Sequence, residues 1–185
     1  MKKTLFLAVI AILAASAANA QKYFTREGKV SFFSDAPMEK IEALNTKATS
    51  VWDTESGKIE FAILIKAFQF EKALMQEHFN ENYMESDKYP KATFKGQVVD
   101  MKKLNLSKDG EYPVTVKGEL DMHGVTKSIE APGKIIVKGG AVKATSSFEA
   151  AVADYNIEIP SVVREKIAKT VRIDVDVDYA ELKKQ

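Results

Sequence analysis

The residues in this chain that could carry out chemistry are few. There are two histidines, His78 and His123, and no cysteine. Glu77 adjoins the first, and Asp121 stands two positions before the second. A zinc site needs three or four converging ligands, and a lone histidine with neighbouring carboxylates falls short at either place. Nucleophilic catalysis needs a hydroxyl or thiol facing a base that a third group orients. Ser128 and Ser161 are available, but neither sits in a G-x-S-x-G elbow. Gly139-Gly140 opens no helix and reads as a turn, not a phosphate cradle. Asp174, Asp176 and Asp178 alternate with apolar residues, which makes them a solvated stripe that keeps a sheet soluble and discourages edge pairing. The expectation is therefore no catalytic, metal or cofactor site, with His123 a turn residue and His78 a residue on a helix face. A hydrolase or isomerase acting on small apolar substrates through one of these histidines is the weakest reading.

What the chain offers in place of reactive groups is apolar lining, positioned by strands. Tyr112, Val114, Val116, Leu120 and Met122 alternate with polar residues, and Val125, Ile129, Ala131, Ile135 and Val137 continue the pattern. Period two marks a strand with one buried and one wet face. His123-Gly124 between the two runs predicts a tight hairpin. A hairpin cannot bury its face alone, so further strands must supply the other walls. Lys22 to Ser34 suggests a first strand, broken at Gly28, and Met38 to Leu44 reads equally as a short helical turn or an irregular strand. Thr46 to Asp53 and Lys58 to Phe68 flank the turn Thr54-Glu55-Ser56-Gly57. The second arm is apolar on both faces, which implies cover on both sides. Residues 70–80 have helical spacing and predict the amphipathic helix that lies across its back. Lys91 to Met101, Ala141 to Ala153 and the run from Val171 to Tyr179 add strands, and Pro160 to Lys169 predicts a second short helix. About eight antiparallel strands with two short helices argue for a mainly β closed barrel or sandwich.

Bulk properties bound the partners. Met1-Lys2-Lys3, the apolar run Leu5 to Leu13 and the Ala18-Asn19-Ala20 site predict a signal peptide over 1–20, leaving one domain over 21–185. The apolar run is too short to span a membrane. Of the 27 basic side chains Lys2 and Lys3 fall in this leader, and the remainder nearly balance 26 acidic ones. A nucleic-acid binder would carry a basic bias, so nucleic acid is not expected. Without cysteine, stability must come from packing.

Several blocks resemble the YceI-like family: Met75-x-x-His78-Phe79-x-x-x-Tyr83, Tyr89-Pro90-x-x-x-Phe94-x-Gly96, Gly118-x-Leu120-x-Met122-His123-Gly124-Val125-Thr126-Lys127, and Asp154-Tyr155-x-Ile157-x-x-Pro160. The resemblance covers nearly all of the chain beyond the leader, and its Leu-x-Met-His-Gly-Val-Thr-Lys block is the most specific part. It implies a lipocalin-like closed antiparallel eight-stranded β-barrel with an apolar interior, exported to the periplasm and described as polyisoprenoid- or lipid-binding. The stretch Asp35 to Asn45 departs from the family's usual histidine-containing segment and Gly-x-Phe.

Together these readings lead to a non-enzymatic periplasmic carrier that holds a polyisoprenoid or fatty-acyl lipid. The expected ligand-facing residues are Phe61, Ile63 and Ile65 on one strand, Phe94 on the next, and Val114, Val116, Leu120 and Met122 on the first arm of the central hairpin. Ile135 and Val137 follow on its second arm, then Phe148, and then Val171, Ile173, Val175 and Val177 on the last strand. Lys127, in phase with the apolar face, and His78 are expected at the mouth, where a head group would be selected. The alternative is a structural or interaction module with a filled barrel, homodimeric through its two-faced strand. Cavity volume decides between the two.

Overall fold

The computed structural model describes residues 21–182. The expected leader and the last three residues lie outside that range. Alternation of apolar and polar side chains produces long strands: β1 (Lys22–Asp35), β2 (Lys40–Asp53), β3 (Lys58–Leu64), the two-residue β4 (Gln69–Phe70), β5 (Lys91–Val99), β6 (Gly110–Met122), β7 (Val125–Lys138), β8 (Ala141–Ala151) and β9 (Thr170–Leu182). They pair antiparallel in the order β1-β9-β8-β7-β6-β5-β3-β2, and β1 pairs with β2 to close an eight-stranded barrel; β4 is appended to β2. Closure removes the exposed edges that an open sheet would carry.

Two local features allow the curvature. In β1 the register shifts on either side of Gly28, and a Cβ there would come within 2.7 Å of Val177 Cγ1. The strand is bulged at this point, not broken, and it continues to Asp35. At the β6–β7 turn His123 and Gly124 both adopt positive φ, 53° and 72°, as a two-residue hairpin requires.

The two ends of the barrel differ. At the base the connections are the turn after β2, the Gly139-Gly140 turn and the β5–β6 segment, whose Met101, Leu104 and Leu106 pack onto the core. Tyr23, Trp52 and Tyr179 fill this end, with ring centroids 5.9 to 6.4 Å apart. The Tyr179 hydroxyl lies 2.7 Å from Ser50 Oγ, and burial holds it well above the usual phenol range, so the pair stays neutral. The other end collects the β1–β2 turn, the long β3–β5 connection, the β6–β7 turn and the β8–β9 connection.

Two expectations about the connections need correction. Residues 70–80 form a helix, α1, only over Ala73–His78, and it loosens into a π-helical turn at Phe79–Tyr83. It sits at the open end and does not lie across the back of β3, where Leu64 is exposed. Met38 to Leu44, open between a helical turn and an irregular strand, is the end of a turn followed by β2, so the strand reading holds. Pro160 to Lys169 is not a helix but a single 3-10 turn, Ser161–Val163. Its backbone is drawn into tertiary bonds instead: Met38 N–H donates to the Glu165 carbonyl at 3.0 Å, and Ala168 N–H donates to Ser34 Oγ at 2.9 Å.

Candidate functional site: an apolar cavity open at one end

The inward positions of the strands do not meet in the middle. Between the base and the open end lies a cavity of about 540 Å³, within the usual size of small-molecule sites. The interior is therefore hollow, and a barrel filled by its own side chains is set aside. Phe61, Ile63 and Ile65 line one wall, with Phe94 beside them. Val114, Val116, Leu120 and Met122 form the next, and Ile135, Phe148, Val171, Ile173, Val175 and Val177 complete the circuit. Register explains why they converge: Phe61 faces Phe94, Phe94 faces Leu120, and Phe148 faces Ile173 across neighbouring strands.

Two expected residues are not in the lining. Val137 is buried, but it pairs with Val142 next to the Gly139-Gly140 turn and packs into the core at the base. Lys127 keeps the inward phase, opposite Leu120, yet it is exposed. β8 pairs with β7 only along Gly133–Lys138, so Lys127 stands on a length of β7 without that neighbour and reaches water.

The sequence reading missed the mouth. Phe32 of β1, Phe68, Phe70 of β4 and Phe79 form an aromatic cluster with centroids 5.0 to 5.7 Å apart, and all four line the cavity. Ile41, Met75, Tyr83, Ile157, Val163 and Ile167 also line it. Burial raises the Tyr83 hydroxyl above its usual value, which keeps it neutral against this apolar wall. Polar side chains in the lining include Ser34, Glu39, Lys72, His78 and Lys166, all from segments at the open end. There Lys72 Nζ reaches Glu39 Oε1 at 3.1 Å and ties the approach to α1 to the β1–β2 turn. The blocks containing Phe79 and Ile157 were the available signal, but helical spacing disguised their direction.

His123 serves the architecture from outside the cavity. Its Nδ1 lies 2.8 Å from the Tyr155 carbonyl and its Nε2 lies 2.9 Å from Glu85 Oε2. The Tyr89 ring meets it edge-on at 4.7 Å. The Tyr155 carbonyl can only accept, so Nδ1–H is the donor of that bond. The ring thus joins the β6–β7 turn to both long connections that cover this end. Among the described residues, its two ring nitrogens bond to the Tyr155 carbonyl and Glu85, and neither bonds to a hydroxyl. Among the described residues, no group of three or more histidine, cysteine, aspartate or glutamate side chains converges as a metal site would require. Chemically, the arrangement provides an apolar enclosure with a polar rim.

A closed antiparallel barrel around one apolar cavity with a polar mouth is a lipocalin-like architecture. A family model for the YceI-like domain matches residues 19–179, and the chain belongs to the YceI-like family. Among solved structures, the fold is similar to a polyisoprenoid binding domain from Saccharophagus degradans implicated in plant cell wall breakdown, at 17% identity and a TM-score of 0.76, covering 88% of this chain and 99% of that one. BcnA of Burkholderia cenocepacia is similar at 17% identity and a TM-score of 0.69, covering 83% and 96%. The Campylobacter jejuni YCEI protein follows at 18% identity and 0.53, covering 75% and 81%. At these identities the likeness is one of fold. No similar sequence was found among curated proteins.

Proposed function

We propose that this protein is a non-enzymatic carrier that holds a polyisoprenoid or other long-chain lipid inside its barrel, working in the periplasm after removal of residues 1–20. The observation that carries the reading is the cavity itself, about 540 Å³, with a lining mainly of aliphatic and aromatic side chains and most of its polar groups at the mouth. Burying each methylene contributes about 0.8 kcal/mol, so a long chain binds there without a polar contact deep in the barrel. The likeness to the polyisoprenoid binding domain from Saccharophagus degradans supports the same ligand class.

Native mass spectrometry of protein freshly isolated from its own host tests the reading directly. The expected spectrum shows a chain beginning at Gln21 with added mass that organic solvent removes. Ligand-free protein in repeated preparations, with no uptake of a fluorescent polyene, overturns the carrier role. A retained leader on the mature protein overturns the export.

A further inference from the structure

The three most exposed large apolar side chains among the described residues are Val162 at 87%, Met38 at 69% and Leu74 at 61%. They come from three segments far apart in sequence: the β8–β9 connection, the β1–β2 turn and α1. Each belongs to the same end of the barrel. Leu74 lines the cavity, Met38 precedes the lining residue Glu39, and Val162 precedes the lining residue Val163. Single exposed apolar residues need no explanation, but a set gathered around one opening does.

The rim that presents them is braced. Met38 N–H bonds to the Glu165 carbonyl at 3.0 Å, Ala168 N–H bonds to Ser34 Oγ at 2.9 Å, and Lys72 pairs with Glu39 at 3.1 Å. These contacts hold all three segments in one frame, so the apolar tips are displayed and not folded inward. Charge surrounds them unevenly. From Val162 to Lys169 the chain carries Arg164, Lys166 and Lys169 against Glu165 alone. On the other segments Lys40 pairs with Asp35 and Lys72 with Glu39, and Glu71 and Glu77 lie on the α1 side. The stretch from Val162 to Lys169 is therefore a local cationic arc beside exposed apolar groups, within a connection that carries Asp154 and Glu158 farther back. That combination suits the interfacial region of a bilayer containing anionic lipid, where apolar tips enter the acyl boundary and cations meet phosphate.

We infer that the mouth of the barrel docks on an anionic membrane surface through Met38, Leu74 and Val162, with Arg164, Lys166 and Lys169 against the lipid phosphates. This rests on the lipid-carrier reading and adds the place where loading occurs. A polyisoprenoid is too apolar to cross water freely, and a mouth seated on the bilayer lets the chain pass between membrane and cavity without exposure. No helix among the described residues is long and apolar enough to cross a membrane, and the contact is peripheral.

Flotation with phosphatidylethanolamine–phosphatidylglycerol vesicles tests the inference. The protein lacking residues 1–20 is expected to rise with the vesicles, less so as salt increases. The double variant Met38→Ser, Val162→Ser, which leaves the cavity lining untouched, is expected to lose roughly tenfold in partitioning, while keeping its melting temperature and its bound lipid in the mass spectrum. Arg164→Gln with Lys166→Gln and Lys169→Gln is expected to remove the salt dependence. Undiminished flotation of the double variant, or no flotation of the parent protein, overturns the membrane contact. So does concentration-dependent dimerisation that the double variant abolishes, because a second copy would then be the occupant of the rim. Each of these failures leaves the carrier reading standing if the lipid mass is present; absence of that mass fails the carrier reading itself.

Discussion

Gly118 faces Gly96 across the β5–β6 pair, and the Phe94 ring lies over both. A Cβ on Gly118 would stand 2.4 Å from Gly96 Cα and from the Lys95 carbonyl oxygen, and 2.7 Å from Phe94 Cζ. Two of these atoms are backbone and cannot turn aside. Bare glycines here form a floor that lets an aromatic ring lie along the strand and finish the cavity wall. Gly118→Ala is accordingly expected to cost about 2 kcal/mol or more in urea unfolding, as overpacking does. Adding Phe94→Ala relieves the ring contact but leaves the backbone contacts, so the double variant should not recover the parent's stability. A Gly118→Ala protein as stable as the parent would show that the two strands are not so close.

At the scale of elements, the strands were legible because their alternation is a property of the chain alone. Val171, Ile173, Val175 and Val177 announce β9 whatever packs against it. The tight turns at 54–57, 123–124 and 139–140 were legible too, but the long connections were not, for the opposite reason. Phe70, Leu74 and Phe79 have helical spacing, but they form a short strand, one helical turn and a π turn, because each is directed at the mouth. Val163 and Ile167 have the same spacing and the same explanation, with tertiary hydrogen bonds replacing a helical ladder. What secures these irregular segments is His123, whose two ring nitrogens reach the Tyr155 carbonyl and Glu85. His123→Ala removes both bonds and leaves a buried carbonyl without its donor, a loss of about 1–3 kcal/mol. The loss is expected to be local: amide hydrogen exchange should quicken over 79–90 and 152–157 while the strands of the barrel keep their protection. Uniform loss of protection throughout the barrel would mean that the latch belongs to the global fold.

For the whole molecule, closure of the barrel and emptiness of its upper half are linked. Eight strands paired in a ring, apart from the length of β7 before Gly133 that β8 does not flank, satisfy most of their backbone groups without help from the interior, so the wall stands without a solid centre. The base supplies the packing, through Trp52 and Val177, both at 0% exposure, and the Tyr23–Tyr179 contacts. The upper half has given up contacts that a filled core would make, and a chain lying in it restores them. The protein carrying its lipid should therefore be more stable than the same protein stripped of it, since a ligand that binds only the folded state stabilises by mass action. At a hundredfold excess over Kd the gain is about 2.7 kcal/mol, or roughly 5–10 °C for a chain of this size. Calorimetry of the isolated and the solvent-stripped protein measures it, with far-ultraviolet circular dichroism expected to stay the same because the ring of strands does not depend on its contents. Returning the extracted lipid should return the lost degrees. Equal melting temperatures before and after proven removal of the lipid would mean that the extracted molecule had been carried somewhere other than the cavity.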